Sequence, residues 1–159
     1  MNQSPLLLLR DVGKRYGDRD ILSSVSLRLQ EGEIVFIRGG NGSGKSTLLK
    51  LAAGLVPLDS GTRSIQPSKM ISYTPDRLPK LKMTSDEYLT HMGRISGMNK
   101  QPLQDRIKEL HEWFDLPYRS KTHLSHYSKG MLQKTNLMQA ILRQPDLLLL
   151  DEHFLRTRR

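Results

Sequence analysis

The sequence has no cysteine and no long hydrophobic run. Without cysteine the chain can form neither a disulfide nor a thiolate metal site, which suits a cytosolic protein. A membrane-spanning helix needs about 20 consecutive apolar residues, whereas residues 6–9 form only a short run with no basic residue before it. We therefore expect neither a transmembrane helix nor a signal peptide. The 159 residues, 36% of them hydrophobic, are enough for one soluble domain with a core.

The chain is strongly basic, with 25 Lys and Arg against 16 Asp and Glu and a formal net charge of +9. Such a charge allows an anionic partner, namely a nucleotide, a nucleic acid or an acidic lipid surface. The simpler interpretation is that Lys and Arg side chains are scattered over a solvated surface. Charge alone does not identify the partner.

Hydrophobic patterns indicate alternating strands and helices. Strands are predicted at residues 6–12, 25–29, 34–38, 64–66, 70–74 and 147–150. The apolar, β-branched stretch at 34–38 predicts a strand buried on both faces. A glycine-rich loop and a helix at 45–53 follow it, with Gly54 as the helix cap.

The middle of the chain is predicted to be helical. Thr84 and Glu87 form a capping box for a helix that runs towards Ile95. A second helix opens at Pro102 and includes Trp113, which we expect in the core, and a third runs from Ser128 to Arg143. The fold class is therefore α/β, with a buried parallel sheet and an inserted helical subdomain at about 77–143.

The glycine-rich loop is a candidate phosphate-binding loop. It fits the pattern G-x-x-x-x-G-K-[ST], and it consists of Gly39, Gly40, Asn41, Gly42, Ser43, Gly44, Lys45, Ser46 and Thr47. Glycines let backbone N–H groups approach phosphate oxygens, and the helix that follows adds its positive end. Lys45 can reach the outer phosphates, Ser46 can coordinate Mg²⁺, and Thr47 can bond an inner phosphate. A loop placed between a strand and a helix predicts a nucleotide site.

Two further motifs narrow the choice among phosphate-loop proteins. Residues 147–150 are four leucines followed by Asp151 and Glu152, and residues 127–131 read Tyr-Ser-Lys-Gly-Met. Each alone has a plainer interpretation, as a core strand ending in two acids and as an ordinary helix start. In this order and spacing they resemble the Walker B strand and the signature motif of ATP-binding-cassette (ABC) ATPases. The resemblance covers residues 6–152 and implies a P-loop NTPase core with an N-terminal antiparallel β part.

The resemblance also implies roles for these residues. Asp151 would hold Mg²⁺ together with Ser46, and Glu152 would be catalytic by orienting or deprotonating the attacking water. The signature would contact the ATP held by a second subunit, through Tyr127, Ser128, Lys129, Gly130 and Met131. Tyr, Lys and Met depart from the usual L-S-G-G-Q spelling, and the variant resembles cassettes of ABC-2 type exporters.

Weaker signals agree with the resemblance. Tyr16 stands where the family has an aromatic residue that stacks on adenine. Asp76 stands where the family has the glutamine of its Q-loop, and its carboxylate could reach Mg²⁺ or a water bound to it. His91, His111, His123 and His126 lack metal-ligand spacing, so we interpret them as surface or helix positions.

The resemblance stops after Glu152. Residues 153–159 form a basic tail, where the family continues with a proline, a D-loop, further strands and a switch histidine. We therefore expect an incomplete single domain over residues 1–159, with the last strands missing. A single-base deletion before the His153 codon would explain the change, since restoring one C makes the next codon proline. We expect such a product to fold poorly or to bind ATP weakly.

The family resemblance implies a function. The chain would be the ATP-binding and ATP-hydrolysing subunit of an exporter, with ATP and Mg²⁺ as cofactors. It would form a head-to-tail dimer, bind a transmembrane permease subunit, and lie peripherally on the inner face of the cell membrane, with no nucleic acid expected. Two alternatives remain open: a non-transport ABC ATPase acting on ribosomes or DNA, and a nucleotide-binding remnant without catalysis.

Overall fold

The computed structural model describes residues 4–151. These residues form two compact units, one that ends at Tyr73 and resumes at Asp146, and another that spans Thr74–Pro145. The elements in chain order are β1 (Leu7–Tyr16), β2 (Arg19–Leu29), α1 (Lys45–Ala53), β3 (Ser60–Ile65), β4 (Ile71–Thr74), α2 (Ser85–Ile95), α3 (Lys100–Trp113), a short 3₁₀ helix (Leu124–His126), α4 (Lys129–Ile141) and β5 (Leu147–Leu150).

The first unit contains an antiparallel sheet of three strands in the order β2-β1-β3. The β1–β2 hairpin turns through Gly17 and Asp18, and the positive φ of Gly17, 58°, suits the first position of a tight hairpin turn. Leu7, Leu9 and Val12 of β1 are fully buried in the core that α1 and β5 also line. The predicted antiparallel β part is therefore confirmed, with longer strands than the sequence indicated.

The two remaining strands, β4 and β5, form a separate two-stranded sheet in the first unit. The Met70 carbonyl accepts backbone hydrogen bonds from Asp146 and Leu147 where the two strands begin. At their other end the Tyr73 hydroxyl contacts Asp151. Residue numbers rise together along both strands, so the pair is parallel, and its carboxyl ends lie at one edge, where open α/β sheets bind ligands.

The prediction of a buried strand at residues 34–38 is wrong for the structure. No strand of the described range, 4–151, pairs with this segment, and Ile34 and Phe36 are 81% and 65% exposed. An apolar, β-branched stretch becomes a strand only where another strand supplies hydrogen-bond partners, and its own composition cannot specify that partner. Ile37 alone packs against the core of the unit.

The second unit is built from α2, α3 and α4. Helix α2 has the predicted capping box, in which Thr84 accepts from the Glu87 backbone and Glu87 accepts from the Thr84 backbone. Helix α3 begins at Lys100, so Pro102 lies in its first turn rather than at its start. Buried leucine, isoleucine and methionine side chains from the three helices and from the C-cap of α4 form the core of this unit: Leu89, Leu103, Ile107, Leu110, Met138 and Leu142.

Trp113 lies outside this core, contrary to the prediction. Its ring is 63% exposed, and the Arg106 guanidinium lies 4.8 Å from the ring centroid. A cation–π contact on a helix surface therefore replaces the expected packing. None of the helices described between residues 4 and 151 has the length and hydrophobicity of a membrane-spanning segment.

Candidate nucleotide-binding site

The glycine-rich loop lies on the surface of the first unit between residues 34–38 and α1. Gly44 has a φ of 88°, and a Cβ added there would lie 2.8 Å from Leu22 Cδ2 and 3.0 Å from the Ile21 carbonyl oxygen. Both the backbone conformation and the close approach of β2 therefore require glycine at this position. Residues 39–43 are exposed, so an anion in solvent can reach their backbone.

Helix α1 begins directly at this loop with its backbone donors available. Gly44 is the N-cap, no side chain caps the helix, and its first turn carries no acidic residue. The first N–H groups of a helix have no partner within the helix, and the helix dipole makes this end positive. The start of α1 therefore provides donors and positive potential for a phosphate group.

Lys45 holds its ammonium group against the loop. Its Nζ donates to the carbonyl oxygens of Gly39 and Gly40, at 2.9 and 2.7 Å, and lies 3.4 Å from Ser43 Oγ. A lysine at this point can exchange carbonyl oxygens for phosphate oxygens, which are stronger acceptors because they carry charge. The geometry suits the phosphate-contacting role that the sequence predicts for Lys45.

Asp151 forms hydrogen bonds to side chains of both α1 and β4. Its Oδ1 accepts from Ser46 Oγ, at 2.8 Å, and its Oδ2 accepts from the Tyr73 hydroxyl, also at 2.8 Å. Ser46 and Asp151 are far apart in the sequence, so their contact is a result of the fold. The part played by Tyr73 was not predicted, because no local pattern connects residues 73 and 151.

The oxygen donors of Ser46 and Asp151 fit a hard divalent cation. Mg²⁺ prefers oxygen ligands and is commonly bound through one or two carboxylates plus substrate phosphates, rather than through a cage of protein groups. The described part of the chain contains no group of three His, Cys, Asp or Glu side chains placed to hold a metal. The chain therefore offers a partial site, of the kind that phosphates complete.

Tyr16 ends β1 with an exposed ring. The Lys14 ammonium lies 5.4 Å from the ring centroid and 3.0 Å from Asp59 Oδ1. The pKa of the Asp59 carboxyl is lowered chiefly by a hydrogen bond from the Arg15 backbone. The hydrogen bond from Lys14 is the second largest cause. These contacts stabilise the end of the hairpin, and the ring remains accessible for stacking.

The signature residues begin α4 in the second unit. Ser128 is the N-cap and accepts a hydrogen bond from the Met131 backbone at 3.2 Å. Ser128, Lys129 and Gly130 are exposed, whereas the Tyr127 side chain is only 3% exposed. A ligand that reaches this helix start would therefore meet residues 128–130 and not the tyrosine ring.

Tyr127 instead joins a buried polar cluster that consists of Ser85, Asp86, His111 and Tyr127. The Tyr127 hydroxyl donates to Ser85 Oγ at 3.1 Å, and His111 Nε2 lies 2.9 Å from Ser85 Oγ and 3.1 Å from Asp86 Oδ1. His111 lies on a helix, as predicted, but it is fully buried, unlike the exposed His91, His123 and His126. Its position four residues after Ile107, on the apolar face of α3, is a sequence signal for that burial.

Asp76 precedes the helices of the second unit. It lies 3.4 Å from the guanidinium of the adjacent Arg77. Asn136 of α4 donates to the Pro75 carbonyl at 2.8 Å and so holds this segment against the helix. Glu152, the predicted catalytic residue, and the tail at 153–159 lie outside the described residues.

Comparison with protein families identifies the chain. The sequence model described as "ABC transporter" matches residues 22–154, which include the phosphate loop, the signature and Asp151. The chain belongs to the ABC transporter family.

Several proteins with similar sequences are named as ATP-binding proteins. An uncharacterized ABC transporter ATP-binding protein of Bacillus subtilis, YxlF, is 36% identical over 92% of this chain and 52% of its own length. The zinc import ATP-binding protein ZnuC of Ruegeria is 37% identical, over 92% and 57%. The linearmycin resistance ATP-binding protein LnrL of Bacillus subtilis is 29% identical, over 92% and 51%. The chain thus spans about half the length of the curated relatives it matches.

Solved structures show the same fold. An ATP-binding subunit of an ABC transporter aligns with a TM-score of 0.83 and 30% identity, over 94% of this chain and 67% of that one. A nucleotide-free ATP-binding cassette aligns with a TM-score of 0.79, over 92% and 68%, and at 20% identity it supports the fold alone. The predicted P-loop NTPase fold of the α/β class is confirmed.

Proposed function

We propose that this chain binds Mg-ATP at the loop of residues 39–47 and is part of the ATP-hydrolysing subunit of an ABC transporter. The convergence of Lys45, Ser46 and Asp151 at the start of α1 carries this proposal, because it places a cation for phosphate next to two oxygen donors for a metal. The ABC transporter family assignment supports it independently.

Each group has a distinct task in binding. The N–H groups of residues 39–47 would contact phosphate oxygens, and the Lys45 ammonium would neutralise the outer phosphates. Ser46 and Asp151 would hold Mg²⁺, with Asp76 as a further candidate. A bound Mg²⁺ supplies neutralisation of the charge that develops on the transferred phosphoryl group. Tyr16 would stack on the base through its exposed ring.

Hydrolysis needs groups beyond binding. Glu152 directly follows Asp151, so its carboxylate would reach the attacking water as the general base. Ser128, Lys129 and Gly130 would meet the terminal phosphate held by a second ATP-binding subunit, which makes the active form a head-to-tail dimer. Tyr127 and Met131 would position that helix start from within the second unit.

A permease partner and an export direction complete the proposal. The family supports a peripheral position at the cytoplasmic face of a membrane, next to a transmembrane subunit. The spelling Tyr127-Ser128-Lys129-Gly130-Met131 favours export. The relatives include an ATP-binding protein titled for zinc import and another titled for linearmycin resistance, so they do not decide the direction.

A binding titration tests the central part. We expect Lys45→Ala to weaken ATP binding by about tenfold or more, because it removes a charged hydrogen-bond donor from the phosphates. Lys50→Ala is the matched control, since Lys50 lies on the same helix with an exposed side chain. The ATP affinity of this variant should stay within about twofold of that of the unsubstituted chain. Isothermal calorimetry on the full chain measures both. Equal losses in the two variants would refute binding at this loop.

A further inference from the structure

Tyr73 joins the hydrophobic core to the candidate cation site. Its ring packs against the core of the first unit, and its hydroxyl donates to Asp151 Oδ2 at 2.8 Å. Tyr73 lies on β4, directly beside β5, the strand that Asp151 follows. The strand pair and the packed ring therefore fix where the hydroxyl points.

The Asp151 carboxylate is held at both of its oxygens. Ser46 of α1 donates to Oδ1 and Tyr73 of β4 donates to Oδ2, each at 2.8 Å. The two donors come from different elements, so together they determine the plane of the carboxylate. Hydrogen bonds to a charged acceptor are the stronger kind, and two of them restrict rotation of the group.

The two donors differ in what they can do when a cation arrives. Ser46 is itself a candidate ligand, so the position of its hydroxyl would depend on the metal as well as on Oδ1. Tyr73 is attached through a ring packed in the core, and its bond to Oδ2 leaves Oδ1 available. The tyrosine can therefore keep the carboxylate oriented independently of how the serine hydroxyl responds to the metal.

We propose that Tyr73 is a positioning residue, which orients Asp151 so that Oδ1 faces a divalent cation bound with ATP. This inference rests on the proposed nucleotide function. It assigns to Tyr73 a role that depends on one oxygen atom, whereas a purely structural role would depend on the ring. Tyr73→Phe separates the two, because it retains the ring and removes the hydroxyl.

The experiment measures how ATP binding by the full chain depends on Mg²⁺. In Tyr73→Phe we expect the Mg²⁺ concentration that gives half-maximal enhancement of ATP affinity to rise about tenfold, in line with the loss of a hydrogen bond to a charged group. ATP affinity measured in excess EDTA should be unchanged, since the tyrosine acts only through the cation site. Tyr88→Phe, which alters a partly buried tyrosine in the core of the second unit, should leave both quantities unchanged.

A double-mutant cycle tests whether Tyr73 acts through Asp151. In the Asp151→Asn background the Tyr73→Phe change should have little further effect on the Mg²⁺ dependence, because the group that Tyr73 orients has lost its charge. An additive effect would overturn the inference. So would an unchanged or tighter Mg²⁺ dependence in Tyr73→Phe alone.

Failure of the proposed ATP-binding function can be distinguished from failure of the proposed role of Tyr73. If the unsubstituted chain does not bind ATP, or binds it equally well after Lys45→Ala, both the proposed function and this inference are wrong. If binding depends on Lys45 and on Mg²⁺ but not on the Tyr73 hydroxyl, only the role of Tyr73 is wrong.

Discussion

Single residues in the phosphate loop combine chemistry with backbone geometry. Lys45 and Ser46 are recognisable from the sequence, since their types and spacing state which groups they contact. Gly44 is recognisable as a residue of the motif, yet the reason for it is visible only in the fold. Its positive φ and the nearness of Leu22 and Ile21 exclude a side chain.

Replacing Gly44 by alanine should therefore destabilise the ligand-free protein. We expect a loss of about 1–2 kcal/mol in the free energy of unfolding, because alanine must adopt a left-handed conformation there. Gly40→Ala is the matched control, since an added Cβ at Gly40 meets nothing within 4 Å. Chemical denaturation compares the two variants, and an equal loss would contradict the steric argument.

At the scale of elements, the sequence predicted features that depend on neighbouring residues better than features that depend on distant ones. The Thr84–Glu87 capping box and the Gly54 cap both form as expected, because each depends on residues within one or two helical turns. Residues 34–38 do not form the expected strand, since strand formation depends on a partner elsewhere in the chain. The contact between Tyr73 and Asp151 likewise depends on the pairing of β4 with β5.

The polar cluster that connects α2, α3 and the segment before α4 places a buried histidine next to a carboxyl group. His111 Nδ1 lies 2.8 Å from the Ile107 carbonyl, which only accepts, so this nitrogen carries a hydrogen. Its Nε2 faces the Asp86 carboxyl at 3.1 Å. The Ser85 hydroxyl lies 2.9 Å from the same nitrogen and can donate its hydrogen to it. Burial is the largest influence on the Asp86 carboxyl and raises its pKa.

A raised pKa for Asp86 predicts how stability depends on pH. The folded state binds the proton more tightly than the unfolded state, so this contribution is complete below the unfolded pKa and is lost as pH rises through the folded value. We expect the stability of the unsubstituted chain, relative to Asp86→Asn, to fall as pH rises above about 4.

The variant is needed because other charges face the same carboxyl. Glu87 and Arg119 act on Asp86 together with His111, and the pKa of Glu87 is lowered by the Thr84 backbone. Glu87 therefore contributes a slope of opposite sign in the acidic range, which is common to both chains and cancels in the difference. Urea unfolding across pH measures the difference in stability between the unsubstituted chain and Asp86→Asn. If the stability of the unsubstituted chain relative to the variant increased with pH, the pKa of Asp86 would not be raised.

At the scale of the whole molecule, the candidate groups divide between two units. The phosphate loop and Asp151 belong to the first unit, whereas the signature residues and Asp76 belong to the second. The sequence order of the motifs predicted the family and its fold, which the family match and the solved structures confirm. The net charge of +9 did not predict a partner, because charge reports attraction to anions in general.

The central claim is that ATP binds at the start of α1, and hydrogen exchange of backbone amides tests it most directly. With Mg-ATP, amides of residues 40–48 should exchange more slowly, because phosphate oxygens would accept hydrogen bonds from them. Lys45→Ala should remove most of this protection at the same ATP concentration, whereas Lys50→Ala should retain it. Protection confined to other parts of the chain, or unaffected by Lys45→Ala, would contradict the account.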